Sequence, residues 1–244
     1  MKRVLPAALA LGIVGILLSD TAAQEPLAPK GLRAESKLPD RYPFVVKDIL
    51  RYCDPAKGLW VDLGAGRGQV GIPLIEATGN PVVMVDPDAK AMQKGMEIAR
   101  EKGLGDKLVP VVGVAEKMPF PDGSVDLVVS RGSIFFWDDP VKGLQEVYRV
   151  LRPGGTAYIG GGAGSGYPKW AAEKLIEGRR KQMQGDEAEK WKRFIALREP
   201  EQMHKWAEAA GLTDYTVMGQ GAISADDERV GQGVWLLFGK APAK

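Results

Sequence analysis

The chain has 244 residues, 45% hydrophobic and 26% charged, the balance of one ordinary globular α/β domain. Lys and Arg number 33 against 31 Asp and Glu, a formal charge of +2. That balance, with no Arg-rich stripe interleaved with aromatics, argues against nucleic acid as a partner. One cysteine, Cys53, and one histidine, His204, exclude an intramolecular disulfide and a Cys-based zinc cluster, so no metal is expected.

Residues 1–23 read differently from everything after them. Lys2 and Arg3 precede an uncharged stretch from Val4 to Ser19, and Asp20-Thr-Ala-Ala precedes Gln24. A positive start, an apolar middle and small residues before Gln24 make the pattern of a secretory signal or membrane anchor. Residues 4–19 are short for a spanning helix, yet an uncleaved anchor would still hold the chain at a membrane. The chain is therefore expected to be exported or membrane-anchored. Residues 24–40, rich in Pro, Ala and charge without a period, read as a linker, and residues 41–244 as one domain.

From Arg41 onward Tyr42, Val46, Ile49, Leu50 and Cys53 share one face of a helix, which makes Cys53 a small core residue. Leu59 to Leu63 is a short apolar run, the signature of a buried strand. Glycines follow at 64, 66 and 68. Helical spacing then runs through Val70, Ile72, Leu74 and Ile75 to about Thr78, where Gly79-Asn80 stops it. A strand, a glycine turn and a helix aim backbone N–H groups at whatever sits over the turn. Two patterns overlap there. Asp62-x-Gly64-x-Gly66-x-Gly68 is an acid followed by alternate glycines, and Gly66-x-Gly68-x-x-Gly71 satisfies the dinucleotide fingerprint. Asp62 stands where a carboxylate can accept from a cationic amino-acid tail.

Pro81 to Val85 is a second buried strand, ended by Asp86-Pro87-Asp88. A carboxylate at that end can accept both hydroxyls of a ribose, because it offers lone pairs and no donor. The alternative role for Asp86 is capping the next helix, for which Asp88 is equally suited. Ala89 to Lys102 is an amphipathic helix and Leu108 to Gly113 a third strand. Asp126, read as structural, begins a fourth strand through Ser130. Asp138-Asp139-Pro140 caps a further helix; Arg152 to Gly155 is a turn, and Thr156 to Ile159 a fifth strand. The glycine run 160–166 reads as a flexible hinge and Trp170 to Leu197 as charged helices forming a mobile lid. Pro200 to Ala210 is a helix with His204 on its flank. Thr213 to Met218 and Val234 to Phe238 are the last strands, joined by a polar loop at 220–232. This alternation predicts a three-layer α/β sandwich.

Four passages resemble the class I S-adenosylmethionine (SAM) methyltransferases of small molecules, the type 11 group. They are the Asp62 to Gly68 turn, the loop and strand from Val114 through Met118-Pro-Phe to Ser130, Ser130-Arg-Gly…Trp137, and Glu146 to Gly155. Together they span about Gly58 to Gly162. The resemblance implies an α/β/α Rossmann-like sandwich around a mostly parallel seven-stranded sheet, of order 3-2-1-4-5-7-6, with a final antiparallel strand. It implies methyl transfer from SAM to a small-molecule acceptor. By the same resemblance the cofactor site comprises Asp62, Gly64, Gly66 and Gly68 at the turn, Asp86 and Pro87 at the ribose, Ala115 and Glu116 along the adenine, and Ser130 and Arg131. The chain departs from the family at Val114, where an aspartate usually accepts from the adenine amino group; a backbone carbonyl or Glu116 would have to substitute. Phe135, Phe136 and Trp137 form either a pocket wall or core. The catalytic base is not identified, with Asp138, Tyr158 and His204 as candidates. Two other readings stay open, an exported non-catalytic methyltransferase-like binding protein and an NAD-dependent dehydrogenase.

Overall fold

The structure, a computed structural model, describes residues 38–182, 188–219 and 233–242. The signal or anchor segment, nearly all of the linker and the 220–232 loop lie outside the described residues. Strands β1 (Trp60–Leu63), β2 (Val82–Asp86), β3 (Leu108–Val112), β4 (Val125–Arg131), β5 (Leu151–Gly161), β6 (Tyr215–Gly219) and β7 (Val234–Gly239) form one sheet, ordered β3-β2-β1-β4-β5-β7-β6. β1 to β5 run parallel, and β7 pairs antiparallel with both β5 and β6. The expected order and the antiparallel end are both present.

The two-residue period of each strand divides the core into two layers. Trp60, Met84, Leu127, Val129 and Tyr158 face one way, beneath α1 (Tyr42–Cys53), α2 (Gly71–Thr78) and α3 (Ala89–Glu101). Val61, Leu63, Val85, Val128 and Ile159 face the other, beneath α4 (Pro140–Val150) and α7 (Pro200–Ala209). Cys53 belongs to the first layer, and burial pushes its thiol up to about 12, which leaves it inert. Helix ends follow the sequence signals. Gly79 closes α2 with φ 71°, Asp88 caps α3 through Lys90 and Ala91 N–H, and Asp139 caps α4 through Lys142 N–H. Asp126 is structural: its carboxylate accepts from Leu59 N–H and from Arg152 Nε.

Two expectations are corrected and a third, the lid, is narrowed. The Arg152 to Gly155 turn is part of β5, which carries its extra residues as a bulge between the Val125↔Leu151 and Leu127↔Thr156 pairs. The glycine run is a packing seam. Gly160 and Gly161 lie in β5, and a Cβ on Gly164 (φ +86°) would stand 2.6 Å from the Phe44 backbone. The lid region is also held down at its start. Ser165 donates its N–H and hydroxyl to the buried Asp48, Tyr167 OH donates to Pro39 O at 3.0 Å, and Ala171 and Ala172 are buried. Leu38 and Phe44 pack on the same small cluster, so the domain's packing includes Leu38, inside the expected linker. Helix α5 (Lys169–Gln182) follows from this anchored start, and α6 (Ala188–Ala196) leads on toward α7.

Candidate cofactor cleft

The carboxyl ends of β1, β2 and β4 open onto a cleft of about 500 Å³, the position where open α/β sheets bind ligands. Of the residues named from the sequence, Gly64, Asp86, Pro87, Ala115, Glu116 and Arg131 line it. Asp62, Gly66, Gly68 and Ser130 are not part of its lining; of these, Gly66 is half-buried and the other three are buried.

Asp62 shares the strand parity of Trp60, so its side chain points under α2. It is 1% exposed, and its Oδ2 accepts from Gly71 N–H at 2.8 Å. The carboxylate therefore holds the first turn of α2 from beneath, and it is not part of the cleft lining. Burial, reinforced by the negative charge of Asp86, pushes its pKa up to about 7. Asp86 is placed differently. Its Oδ2 accepts from Gly66 N–H and its Oδ1 from Asp88 N–H, each at 2.8 Å. It thus pins the glycine turn from the end of β2 while facing the cleft. Because Asp88 does the capping of α3, Asp86 is left to the turn and the cleft.

The three turn glycines have φ of +68°, +54° and +71°, a region that side chains rarely adopt. Their missing Cβ atoms serve different neighbours. At Gly64 a Cβ would collide with Ser133, and at Gly68 it would stand 2.9 Å from Met84 Sδ. At Gly66 the space is open to Gln69 Oε1 at 3.9 Å. Only Gly66 thus has open space in front of its missing Cβ.

The far wall comes from the loop after β4, which forms a single 3-10 turn, Ile134–Phe136. Ser130 was expected in the pocket, but it is 1% exposed and sits behind Ser133, its hydroxyl bonded to the Ser133 hydroxyl. Ser133, which the sequence reading missed, lines the cleft with Phe136, Trp137 and Asp138. Phe135 is buried core, whereas Phe136 stands 42% exposed and packs on Phe194 of α6 at 5.5 Å. Glu116 lines the cleft and accepts from Asp139 N–H at 3.0 Å through Oε1. Val114 also lines it, its carbonyl accepting from Lys117 N–H at 3.3 Å. Arg131 donates from Nε to Gly162 O at 2.8 Å and lies 4.8 Å over the Tyr42 ring. It separates the cleft from a second cavity of about 340 Å³ bordered by Asp40, Arg41, Tyr42 and Gln69.

Two of the three candidate bases are elsewhere. Tyr158 is 1% exposed and stacked on Trp235 at 4.6 Å, and burial pushes its hydroxyl far up. His204 pairs through Nδ1 with Tyr215 OH at 3.2 Å, on the edge strand β6. Asp138 is at the cleft. Among the described residues no cluster of His, Cys, Asp and Glu could hold a metal ion, and no helix is long and apolar enough to cross a membrane.

With this geometry established, the chain can be set beside known proteins. Residues 61–159 match the family model described as "Methyltransferase domain". The 2-methyl-6-phytyl-1,4-hydroquinone methyltransferase 2 of Oryza sativa subsp. japonica is 38% identical over 98 residues, 40% of this chain and 27% of that protein. The ubiquinone/menaquinone biosynthesis C-methyltransferase of Brucella anthropi is 36% identical over 97 residues, 39% of this chain and 37% of that protein. The chain thus spans well under half the length of these curated relatives. A crystal structure from Methanococcus maripaludis, assigned to the SAM-dependent methyltransferases, superposes with a TM-score of 0.68 at 24% identity, covering 84% of this chain and 87% of that one. That likeness establishes the fold. Motif, cleft position and family model agree on residues 61–159, which match a methyltransferase domain.

Proposed function

We propose that the protein transfers the methyl group of SAM to a small-molecule acceptor, with the cofactor held in the cleft between β1, β2 and β4. The observation that carries this reading is Asp86. Each of its oxygens accepts one backbone N–H, which leaves each with a lone pair for a ribose hydroxyl at the mouth of the cleft. Pro87 and Ala115 offer apolar surface to a purine, and Glu116 keeps one oxygen beyond its bond to Asp139. The cleft volume of about 500 Å³ is ample for such a ligand.

SAM, when bound, supplies an electrophilic methyl group on a sulfonium, open to in-line displacement. The contribution of the protein is then to orient the reactants and exclude water. Phe136 and Trp137 give the cleft an aromatic rim, and Phe194 closes on Phe136 from α6. An acceptor with an apolar ring fits that rim, in keeping with the hydroquinone in the name of the rice relative. If the acceptor must lose a proton, Asp138 is the group at hand; Tyr158 and His204 are not at the cleft.

Asp86→Ala should weaken binding of S-adenosylhomocysteine by about 1–3 kcal/mol, the scale of hydrogen bonds to a charged group. Isothermal calorimetry on both proteins measures it. Unchanged affinity would move the ribose to other residues.

A further inference from the structure

The loop after β4 contains a hydroxyl whose bonds are all accounted for. Ser133 Oγ lies 3.1 Å from Leu63 O and 3.0 Å from Trp137 Nε1, and it bonds to Ser130 Oγ. A serine has one proton and two lone pairs. The Leu63 carbonyl can only accept, so the Ser133 proton goes there. The indole N–H can only donate, so Ser133 accepts from Trp137. Ser130 must therefore donate to the remaining lone pair. One arrangement of protons satisfies all three contacts, and it joins the end of β1, the end of β4 and the indole.

The neighbours of this hydroxyl are shaped to it. Gly64, directly after Leu63, has no room for a Cβ because Ser133 is there. At the other end of the indole, a Cβ on Gly143 would stand 2.5 Å from Trp137 Cε3. A glycine inside a helix is destabilising by roughly 0.5–1 kcal/mol relative to alanine. In α4 this glycine makes the seat for the Trp137 ring. Trp137 is thus fixed at both ends, by a hydrogen bond at Nε1 and by a glycine under its six-membered ring.

We propose that Ser133 is a positioning residue of the cleft: it holds the Trp137 indole as a wall and locks that wall to the glycine turn. The inference rests on the reading of the cleft as a SAM site, and it assigns to Ser133 and Gly143 roles that act through Trp137. Loss of one such hydrogen bond should weaken S-adenosylhomocysteine binding roughly five- to tenfold.

A double-mutant cycle with Ser133→Ala and Trp137→Phe tests it, read by calorimetry with S-adenosylhomocysteine as the probe. Each single variant should lose affinity, and Ser133→Ala should add little in the Trp137→Phe background. Tryptophan emission should change with Ser133→Ala in the Trp137-containing protein and stay constant in the Trp137→Phe background. Should Ser133→Ala fail to fold, Trp137→Phe must show the same loss, since it removes the donor and keeps a ring. Equal losses in both backgrounds, or wild-type affinity in Ser133→Ala, would overturn the role of Ser133. Absence of binding by the folded wild-type protein would instead overturn the cofactor reading on which it stands.

Discussion

Gly160→Ala should destabilise the protein by about 3 kcal/mol, at the upper end of what overpacking costs. Gly160 lies in the middle of the sheet, where β5 is flanked by β4 and β7 and pairs with Trp235. A Cβ there would fall on the Val234 carbonyl oxygen and stand 2.7 Å from Trp235 Cα. Both are backbone atoms, so no rotamer change relieves the contact; β7 must shift and its pairing with β5 must weaken. For a domain of this size each kcal/mol moves the melting temperature by roughly 2–4 °C, so a drop of about 6–12 °C is expected in calorimetric melting. A variant melting within about a degree of wild type would mean that the seam has slack and that the glycine run is a hinge after all.

Asp62→Asn should alter how stability depends on pH. The Asp62 carboxyl is pushed from 3.8 up to about 7, mainly by burial. A folded-state pKa above the unfolded one means that the folded protein keeps a proton which the unfolded chain releases. The Asp62 contribution is therefore fully present below about pH 4, falls as pH rises toward 7, and is flat above. The shift corresponds to a loss on the order of 4 kcal/mol across that window. Asparagine keeps an acceptor for Gly71 N–H and has no charge to bury. Relative to wild type, Asp62→Asn should thus gain stability from pH 4 to pH 8, measured by urea unfolding at both. Because Asp62 is not part of the cleft lining, affinity for S-adenosylhomocysteine should change little. A constant difference between variant and wild type across pH would mean that the Asp62 carboxyl has the same pKa folded and unfolded. A large loss of affinity would place it at the cofactor tail.

Much of this was legible in the sequence, for identifiable reasons. Strands and caps could be read because periodicity, glycines and aspartates act locally: Gly79, Asp88 and Asp139 do what their neighbours in the chain indicate. Asp86 and Pro87 reach the cleft because a strand's carboxyl end is a position the chain itself specifies. Asp62 also had a local signal, its parity with Trp60, which directs it beneath α2. Ser133 had none. Its partner Leu63 is 70 residues away, and a serine after Gly132 looks like any loop serine until β1 and β4 are side by side. The glycine run misled for the same reason. What makes Gly160 necessary is the close approach of β7, which arrives more than seventy residues later in the chain.

The glycine turn and Asp86 alone would serve SAM or NAD, and the proposed cofactor site requires a preference for SAM. Calorimetric titration of the purified wild-type protein with S-adenosylhomocysteine and with NAD decides it most directly. Saturable binding of S-adenosylhomocysteine is expected at one site per chain, at least tenfold tighter than NAD, a difference of about 1.4 kcal/mol. Tighter binding of NAD, or no binding of either ligand by folded protein, would contradict the proposed site.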